Sequence, residues 1–143
     1  MKLQDIKLVV VEDDEADFML IERAFRKERV LNEIVRAKDG IEALAILRGE
    51  KDQARLHRPY IVLSDINMPR MSGLSFVSEL RRDPNLKDTV VFMLTTSEHD
   101  EDKRNAYHQN VAGYMLKSDA GREFLKIVHM LGGYIQVVHL PSG

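Results

Sequence analysis

The side chains best suited to chemistry in this sequence stand directly after short apolar runs. Carboxylates end the first and third runs, a hydroxyl ends the fourth and an amine ends the fifth, in the order Glu12, Asp13, Asp65, Thr95 and Lys117. Two carboxylates about 4 Å apart repel by about 4 kcal/mol at an effective dielectric constant of 20. Three acids that meet in one pocket therefore need protons, a lysine or a metal ion. Ligand sets made of oxygen alone favour a hard cation such as Mg²⁺.

A carboxylate beside such a cation can attack phosphorus and form an aspartyl phosphate. An amine and the metal would then neutralise charge on the phosphoryl oxygens, and a hydroxyl would hydrogen-bond to one of them. Each residue also has an ordinary explanation: Asp65 as a helix cap, Thr95 as a strand residue and Lys117 as a solvated side chain. Together, at successive strand ends, they indicate phosphoryl chemistry centred on Asp65.

Five apolar runs predict the buried strands that position these groups. They cover residues 8–11, 32–37, 60–64, 90–94 and 113–116. Between them apolar residues recur at helical spacing, and Gly49 predicts a helix end. The polar stretch 97–110 has little apolar content, so if it is helical we expect it to pack weakly. This alternation predicts an α/β fold, a doubly wound five-stranded parallel sheet with helices on both faces. The carboxyl ends of its strands share one edge, where the reactive groups can converge.

The C-terminal part of the sequence departs from this alternation. The last helical pattern, which includes Phe124, Ile127 and Leu131, predicts a helix that stops at Gly132-Gly133. The segment that follows is rich in β-formers and predicts an extra strand or arm, with the contact residues Tyr134, Ile135, Val137, Val138, Leu140 and Pro141. An apolar arm invites pairing with another chain, although it could also fold back on its own domain. We expect one domain over residues 1–133 and an arm over 134–143.

Composition argues against several kinds of function. The 143 residues include 21 Lys and Arg and 23 Asp and Glu, for a net charge of −2. This balance gives no basic stripe of the kind that binds nucleic acid. The chain has no cysteine, and its five histidines are too scattered to form a ligand pair. No signal peptide or membrane-spanning stretch is evident, so we expect a soluble cytoplasmic protein.

Four motifs in this sequence resemble those of the receiver domain of two-component response regulators. They are VEDD at residues 11–14, SDINMP continuing to SG at 64–73, LTT at 94–96 and YMLK at 114–117. The resemblance covers roughly residues 5–132, in the family's order and spacing. It implies a flavodoxin-like topology with strand order 2-1-3-4-5.

The resemblance also implies a role for each matching residue. Asp65 would accept a phosphoryl group from a sensor histidine kinase. A Mg²⁺ site, for which Mn²⁺ or Ca²⁺ could substitute, would consist of Glu12, Asp13, Asp65 and the backbone carbonyl of Asn67. The phosphoryl-binding and switch residues would be Thr95, Thr96, Lys117 and Tyr114. Such a protein signals, and at most it catalyses its own phosphorylation and dephosphorylation.

Two positions depart from the family pattern. Ser118 stands where the family usually has proline, commonly after a cis peptide bond. A non-proline cis bond costs about 3–4 kcal/mol, so we expect a trans bond and a shifted loop that alters the placement of Lys117. Thr96 is larger than the residue common at its position. We expect it to hinder water from reaching a phosphorylated aspartate and to slow its hydrolysis.

The end of the chain is similar to single-domain response regulators that pair with bacterial phytochrome kinases. Those proteins carry a C-terminal extension with a Val-x-Leu-Pro-like segment, which Val138-His139-Leu140-Pro141 matches. In that subfamily the extension helps to form homodimers, so the resemblance implies a phytochrome kinase partner and a homodimer. No DNA-binding domain follows the receiver pattern in this sequence. We therefore expect output through protein contact, phosphotransfer or a change of oligomer.

Four other functions fit parts of the pattern. The protein could pass its phosphoryl group on, as an intermediate in a phosphorelay. A metal-dependent phosphatase with an aspartyl nucleophile typically has a second acid two residues later, where this chain has Asn67. A flavin- or nucleotide-binding domain needs a glycine- or hydroxyl-rich phosphate loop, whereas acids follow the first strand here. A degenerate receiver that only mediates contacts would not need the intact acids, threonine and lysine.

Overall fold

A computed structural model describes residues 5–117, 129–134 and 137–141 of the chain. Strands and helices alternate along the first range. Their bounds are β1 (Lys7–Val11), α1 (Glu15–Lys27), β2 (Ile34–Ala37), α2 (Gly40–Arg48), β3 (Tyr60–Ser64), α3 (Gly73–Arg82), β4 (Val91–Thr95), α4 (Asp100–His108) and β5 (Gly113–Leu116). Within the described ranges, no helix combines the length and the apolar character needed to cross a membrane.

The five strands form one parallel sheet in the order β2-β1-β3-β4-β5. Alternate residues of a strand point to opposite faces. Val62 and Met93 accordingly belong to one apolar cluster and Ile61 and Phe92 to the other. Residues of α2 and α3 and Ala106 of α4 contribute to the first cluster, and residues of α1 contribute to the second. The predicted α/β sheet, with helices on both faces and the order that the resemblance implied, is confirmed.

Short polar residues begin the helices that surround the carboxyl edge of this sheet. Asp14 caps α1 by accepting a hydrogen bond from the Asp17 N–H at 2.9 Å. Asp39 caps α2 and Ser72 caps α3 in the same way. Such caps satisfy N–H groups that have no partner inside the helix. As predicted, α2 ends at Gly49, whose φ of 74° suits glycine.

Helix α4 is attached to the sheet more lightly. Only Ala106 is buried among its nine residues, and its first turn carries three acids at 100–102. His99, the residue before the helix, makes no capping hydrogen bond through its side chain. The sequence pattern predicts weak packing for a helix within 97–110, and the structure confirms this weak packing.

The predicted C-terminal β-arm is wrong for the residues that the structure describes. A helix runs through Gly132 and Gly133 to Tyr134, and Val137 is helical as well. The Val138 N–H donates to the Tyr134 carbonyl at 3.0 Å, which places the two side chains near one helix face. Outside the described residues lie Ile135 of the arm and Phe124 and Ile127 of the predicted last helix.

Burial explains why the glycine pair does not end this helix. The Tyr134 ring packs edge-on against Phe92, with ring centroids 5.3 Å apart. Val138 packs against the same apolar cluster, and Leu140 is buried in it. Each glycine in a helix costs roughly 1 kcal/mol, and contacts of this size outweigh that cost. The segment therefore folds back on its own domain, as a helix rather than as a strand.

Candidate functional site

Asp65 is the first residue after β3, at the centre of the sheet's carboxyl edge. Strands β1 and β3 are in register up to the pair of Val11 and Ser64, and the Asp65 N–H donates to the Val11 carbonyl at 3.1 Å. One carboxylate oxygen, Oδ1, accepts a hydrogen bond from the Ile66 N–H at 2.7 Å. The backbone therefore fixes one oxygen of this buried side chain, and Oδ2 is the atom that meets the rest of the site.

Glu12 and Asp13 bring two further carboxylates to Asp65, as the sequence predicted. Each of the three offers an oxygen within 4.8 Å of the other two. Glu12 is only 1% exposed, whereas Asp13 is open to solvent. Burial raises the pKa of Glu12 to about 7, although Lys117 acts in the opposite direction. The cluster is thus closed towards the protein and open towards solvent.

Lys117 follows β5, and its ammonium group meets the carboxylate cluster. Its ammonium group donates to Oδ2 of Asp65 at 2.9 Å. It also donates to Oδ2 of Asp17 at 2.9 Å and to Oε1 of Glu12. Burial alone would lower the pKa of Lys117, but its carboxylate partners raise the pKa above the ordinary value. Ser118, and with it the expected trans bond, lies outside the described residues.

Asp17 is a member of this cluster that the sequence pattern did not reveal. It lies in the first turn of α1, and its side chain is 43% exposed. In the sequence it marks only the point where helical spacing begins. Its position in the sequence could have indicated its role, because the helix that follows β1 starts at the sheet edge where the other reactive groups meet.

Arg36 holds the loop that carries the acid pair. It belongs to β2, and its guanidinium group donates to the carbonyls of Glu12 at 3.3 Å and Asp13 at 3.4 Å. The same group lies 4.7 Å from the centroid of the Phe18 ring in α1, within cation–π range. The acid loop is therefore tied to both β2 and α1. Sequence spacing did not reveal this role, which depends on β2 lying beside β1.

The loop between β3 and α3 is held closely against Asp65. A Cβ added to Gly73 would lie 1.9 Å from the Asp65 carbonyl oxygen, so this position requires glycine. Earlier in the loop, Nε of Arg70 donates to Oδ2 of Asp39 at 2.7 Å, which links the loop to the start of α2. Asn67 lies within this loop, and its N–H is 3.4 Å from Oδ1 of Asp65. The structure thus places the Asn67 backbone next to Asp65, and the predicted role of its carbonyl stays a prediction.

Thr95 and Tyr114 both bond to Ser97, in the loop that follows β4. Thr95 is fully buried, and its Oγ1 accepts a hydrogen bond from the Ser97 N–H at 3.2 Å. The Tyr114 hydroxyl donates to the Ser97 carbonyl at 2.8 Å. The Ser97 hydroxyl donates to the Asp102 carboxylate in α4. Ser97, which the sequence analysis did not single out, therefore connects β4, β5 and α4, while Thr96 beside it is exposed.

This strand order, with acids after β1 and β3 and a lysine after β5, defines a receiver-type α/β domain. Residues 8–129 match the response regulator receiver domain. The chain therefore belongs to the response regulator receiver family, whose members are signalling proteins.

Two relatives of nearly the same length are response regulators, and the name of one refers to a phytochrome. The response regulator Rcp1 of Synechocystis sp. is 29% identical over 136 residues, which cover 94% of this chain and 92% of Rcp1. The crystal structure of the phosphorylated cyanobacterial phytochrome response regulator RcpA has a TM-score of 0.87 and 34% identity. The match covers 96% of this chain and 99% of the RcpA chain. The protein is thus a receiver response regulator related to phytochrome response regulators.

Receiver domains bind divalent metal ions, and the residues here fit that property. A crystal structure of the Mn²⁺-bound form of Rcp1 is similar to this chain, with a TM-score of 0.85 and 28% identity over 95% of this chain and 99% of that one. In the present structure Glu12, Asp13 and Asp65 offer carboxylate oxygens close enough to share an ion. Oxygen ligands of this kind suit hard divalent cations.

Proposed function

We propose that this protein is a response regulator that accepts a phosphoryl group from a sensor histidine kinase onto Asp65. The observation that carries the proposal is the 2.9 Å contact between Oδ2 of Asp65 and Nζ of Lys117, beside two more carboxylates. A carboxylate whose first oxygen is held by the backbone presents its second oxygen as a nucleophile. The amine stands where negative charge accumulates on a transferring phosphoryl group.

The proposed reaction moves phosphorus from nitrogen to oxygen. An Asp65 carboxylate oxygen bonds to phosphorus while the bond from phosphorus to the kinase imidazole breaks. The electron pair of that bond stays on the imidazole nitrogen, and the other ring nitrogen keeps its proton. Lys117, whose pKa is raised, stays protonated and offsets the charge of the phosphoryl oxygens without transferring a proton.

The proposed metal is Mg²⁺, with Mn²⁺ or Ca²⁺ as substitutes. Glu12, Asp13 and Asp65 would hold it through carboxylates, and Asn67 would do so through its backbone carbonyl. The raised pKa of Glu12 supports this assignment, because a buried carboxylate charge is costly until a cation compensates for it. When bound, the metal would supply positive charge that offsets the charge of the phosphoryl oxygens.

We propose that phosphorylation changes the conformation of the domain through the loop at Ser97. The Thr95 hydroxyl would exchange its bond with the Ser97 N–H for one with a phosphoryl oxygen. Because the Tyr114 hydroxyl is bonded to the Ser97 carbonyl, a shift of this loop would reach Tyr114. Thr96, exposed beside the loop, would hinder water and slow hydrolysis of the acyl phosphate.

The proposed partners are a kinase of the phytochrome type and a second copy of the chain. The similarity to Rcp1 and RcpA supports the kinase assignment. For the dimer, the support is the exposure of apolar side chains near the C-terminus, 44% for Met130 and 77% for Val137. Tyr134, Val138 and Leu140 already pack on their own core, so the exposed residues, together with the partly exposed Pro141, would form the contact.

Intact-mass measurement tests the proposed phosphorylation directly. The protein is incubated with Mg²⁺ and acetyl phosphate, and wild type is compared with Asp65→Asn. We expect one phosphoryl adduct on the wild type, its loss when EDTA replaces Mg²⁺, and no adduct on Asp65→Asn. Folded wild-type protein that gains no adduct from acetyl phosphate or from a phosphorylated histidine kinase would contradict the proposal.

A further inference from the structure

Three carboxylates share the ammonium group of Lys117, and the proposed chemistry uses only two of them. Glu12 is a proposed metal ligand and Asp65 is the proposed phosphoacceptor, whereas Asp17 has neither role. Among the described residues, the acids close enough to share an ion are Glu12, Asp13 and Asp65. Oδ2 of Asp17 is nevertheless 2.9 Å from Nζ of Lys117, the same distance as that of Asp65.

We infer that Asp17 is a positioning residue that holds Lys117 beside Asp65 during phosphoryl transfer. This inference rests on the proposed function and adds a residue to its site. An ammonium group has three N–H donors, and in this structure each faces one carboxylate. During the proposed reaction, two of these acceptors become engaged with the metal or with phosphorus. Asp17 is the acceptor that stays unchanged.

The lysine needs such an anchor because of its length. Its ammonium group stands on a flexible four-carbon stem, which loses much conformational freedom when it is held in one place. Asp17 is well placed to restrict it, because the Asp17 N–H is fixed to the Asp14 carboxylate at 2.9 Å at the start of α1. That helix is in turn held to the sheet by its buried residues Ile21 and Phe25.

The direction of approach also suits an anchor. Side-chain exposure is 1% for Glu12 and 8% for Asp65 but 43% for Asp17, so Asp17 meets the ammonium group from the solvent side. A pair that is partly solvated contributes modestly, because water screens it. The effect of losing Asp17 should therefore be a moderate loss of rate, not a loss of the fold.

Phosphorylation kinetics provide the first test. Initial rates are measured over a range of acetyl phosphate concentrations at saturating Mg²⁺, for wild type and Asp17→Asn. We expect the maximal rate to fall about fivefold while the half-saturating donor concentration stays the same. Asp17→Glu should recover part of the rate. The matched control is Glu15→Gln, an exposed acid in the same helical turn, which should keep the wild-type rate.

A double-mutant cycle separates positioning from a general effect of charge. In a Lys117→Met background, Asp17→Asn should cause no further change in rate, because the group that it positions is gone. A similar loss in both backgrounds would overturn the inference. A single Asp17→Asn variant that reacts as fast as wild type, or faster, would overturn it as well.

A labelling experiment gives a readout that does not depend on phosphoryl transfer. The rate at which an acylating reagent modifies Lys117 is followed by peptide mass spectrometry in the presence of Mg²⁺. We expect faster modification in Asp17→Asn than in wild type or Glu15→Gln, because the amine is less restrained. If wild type took up no phosphoryl group, the proposed function would fail. If Asp17→Asn left the labelling rate unchanged, the anchoring role would fail.

Discussion

The two sides of Asp65 are built differently. On one side, residues 65–73 lead into α3, which buries four of its ten residues and presses Gly73 against the Asp65 backbone. On the other, residues 96–99 lead into α4, which buries only Ala106. We call these the α3 side and the α4 side.

Different forces hold the two sides in place. Close packing fixes the α3 side, and a packed core changes its geometry only at a high cost. On the α4 side, Ser97 is held through hydrogen bonds to its neighbours. A hydrogen bond can be exchanged for another of similar energy, so a net difference of about 1 kcal/mol decides which one forms. Asp65 and Asn67 stand on the first side, whereas Thr95 and Tyr114, which are proposed to respond, bond to Ser97 on the second.

The largest expected effect comes from a methyl group added on the α3 side. Gly73→Ala should reduce the free energy of unfolding by about 4 kcal/mol, because the new Cβ would meet the Asp65 carbonyl oxygen at 1.9 Å. Urea denaturation measures the change. Gly133→Ala is the matched control: its Cβ meets nothing within 4 Å, so it should stabilise its helix by about 1 kcal/mol. Similar effects at both positions would show that the α3 side is not tightly packed.

The second-largest expected effect is a pH dependence of stability that arises from the buried Glu12 carboxyl group. The pKa of Glu12 is raised from 4.5 to about 7 in the folded state. Between these values the folded protein holds a proton that the unfolded chain has released, so this stabilisation is complete below pH 4.5 and is lost as the pH rises to about 7. In EDTA, the free energy of unfolding should fall by about 3 kcal/mol over this range.

Two comparisons check the origin of this pH dependence. Glu12→Gln should remove most of the decline in EDTA, because a glutamine has no proton to lose in this range. Saturating Mg²⁺ should reduce the decline in wild type, because the cation stabilises the ionised acids. Parallel profiles for wild type and Glu12→Gln would mean that the dependence arises elsewhere in the molecule.

The smallest expected effect lies on the α4 side. Tyr114→Phe removes the hydroxyl that donates to the Ser97 carbonyl, and should cost about 1 kcal/mol of stability. Amide hydrogen exchange should become faster across residues 97–102 and stay unchanged across residues 66–73. Tyr107→Phe, at an exposed position of α4, should leave both regions as they are. Equal acceleration in both regions would remove the distinction between the two sides.

The strands and the convergence of their ends could be predicted because both follow from simple regularities. Buried parallel strands are continuous apolar runs, and their carboxyl ends must share an edge. These two regularities alone place Asp65, the two acids and Lys117 at one edge of the sheet. The sheet order itself came from the resemblance to receiver domains.

The remaining features depend on contacts that no local pattern encodes. Arg36 and Asp17 reach the site from β2 and α1, and each matters only because of the element that happens to lie beside it. Ser97 acts through its backbone carbonyl and N–H as much as through its side chain, so residue type alone does not mark it. At Gly132-Gly133 the local preference to end a helix is outweighed by the burial of Tyr134 on the core.

The ring contact between Phe92 and Tyr134 gives the C-terminal helix a thermodynamic connection to the site. Phe92 belongs to β4, the strand that ends at Thr95, and Tyr134 packs edge-on against the Phe92 ring. A binding partner that held this helix differently in two states of β4 would change the relative populations of those states. By reciprocity, a shift of β4 would change the affinity for that partner by the same factor. Partner binding at the C-terminal helix and phosphorylation of Asp65 would then shift the same conformational equilibrium of β4.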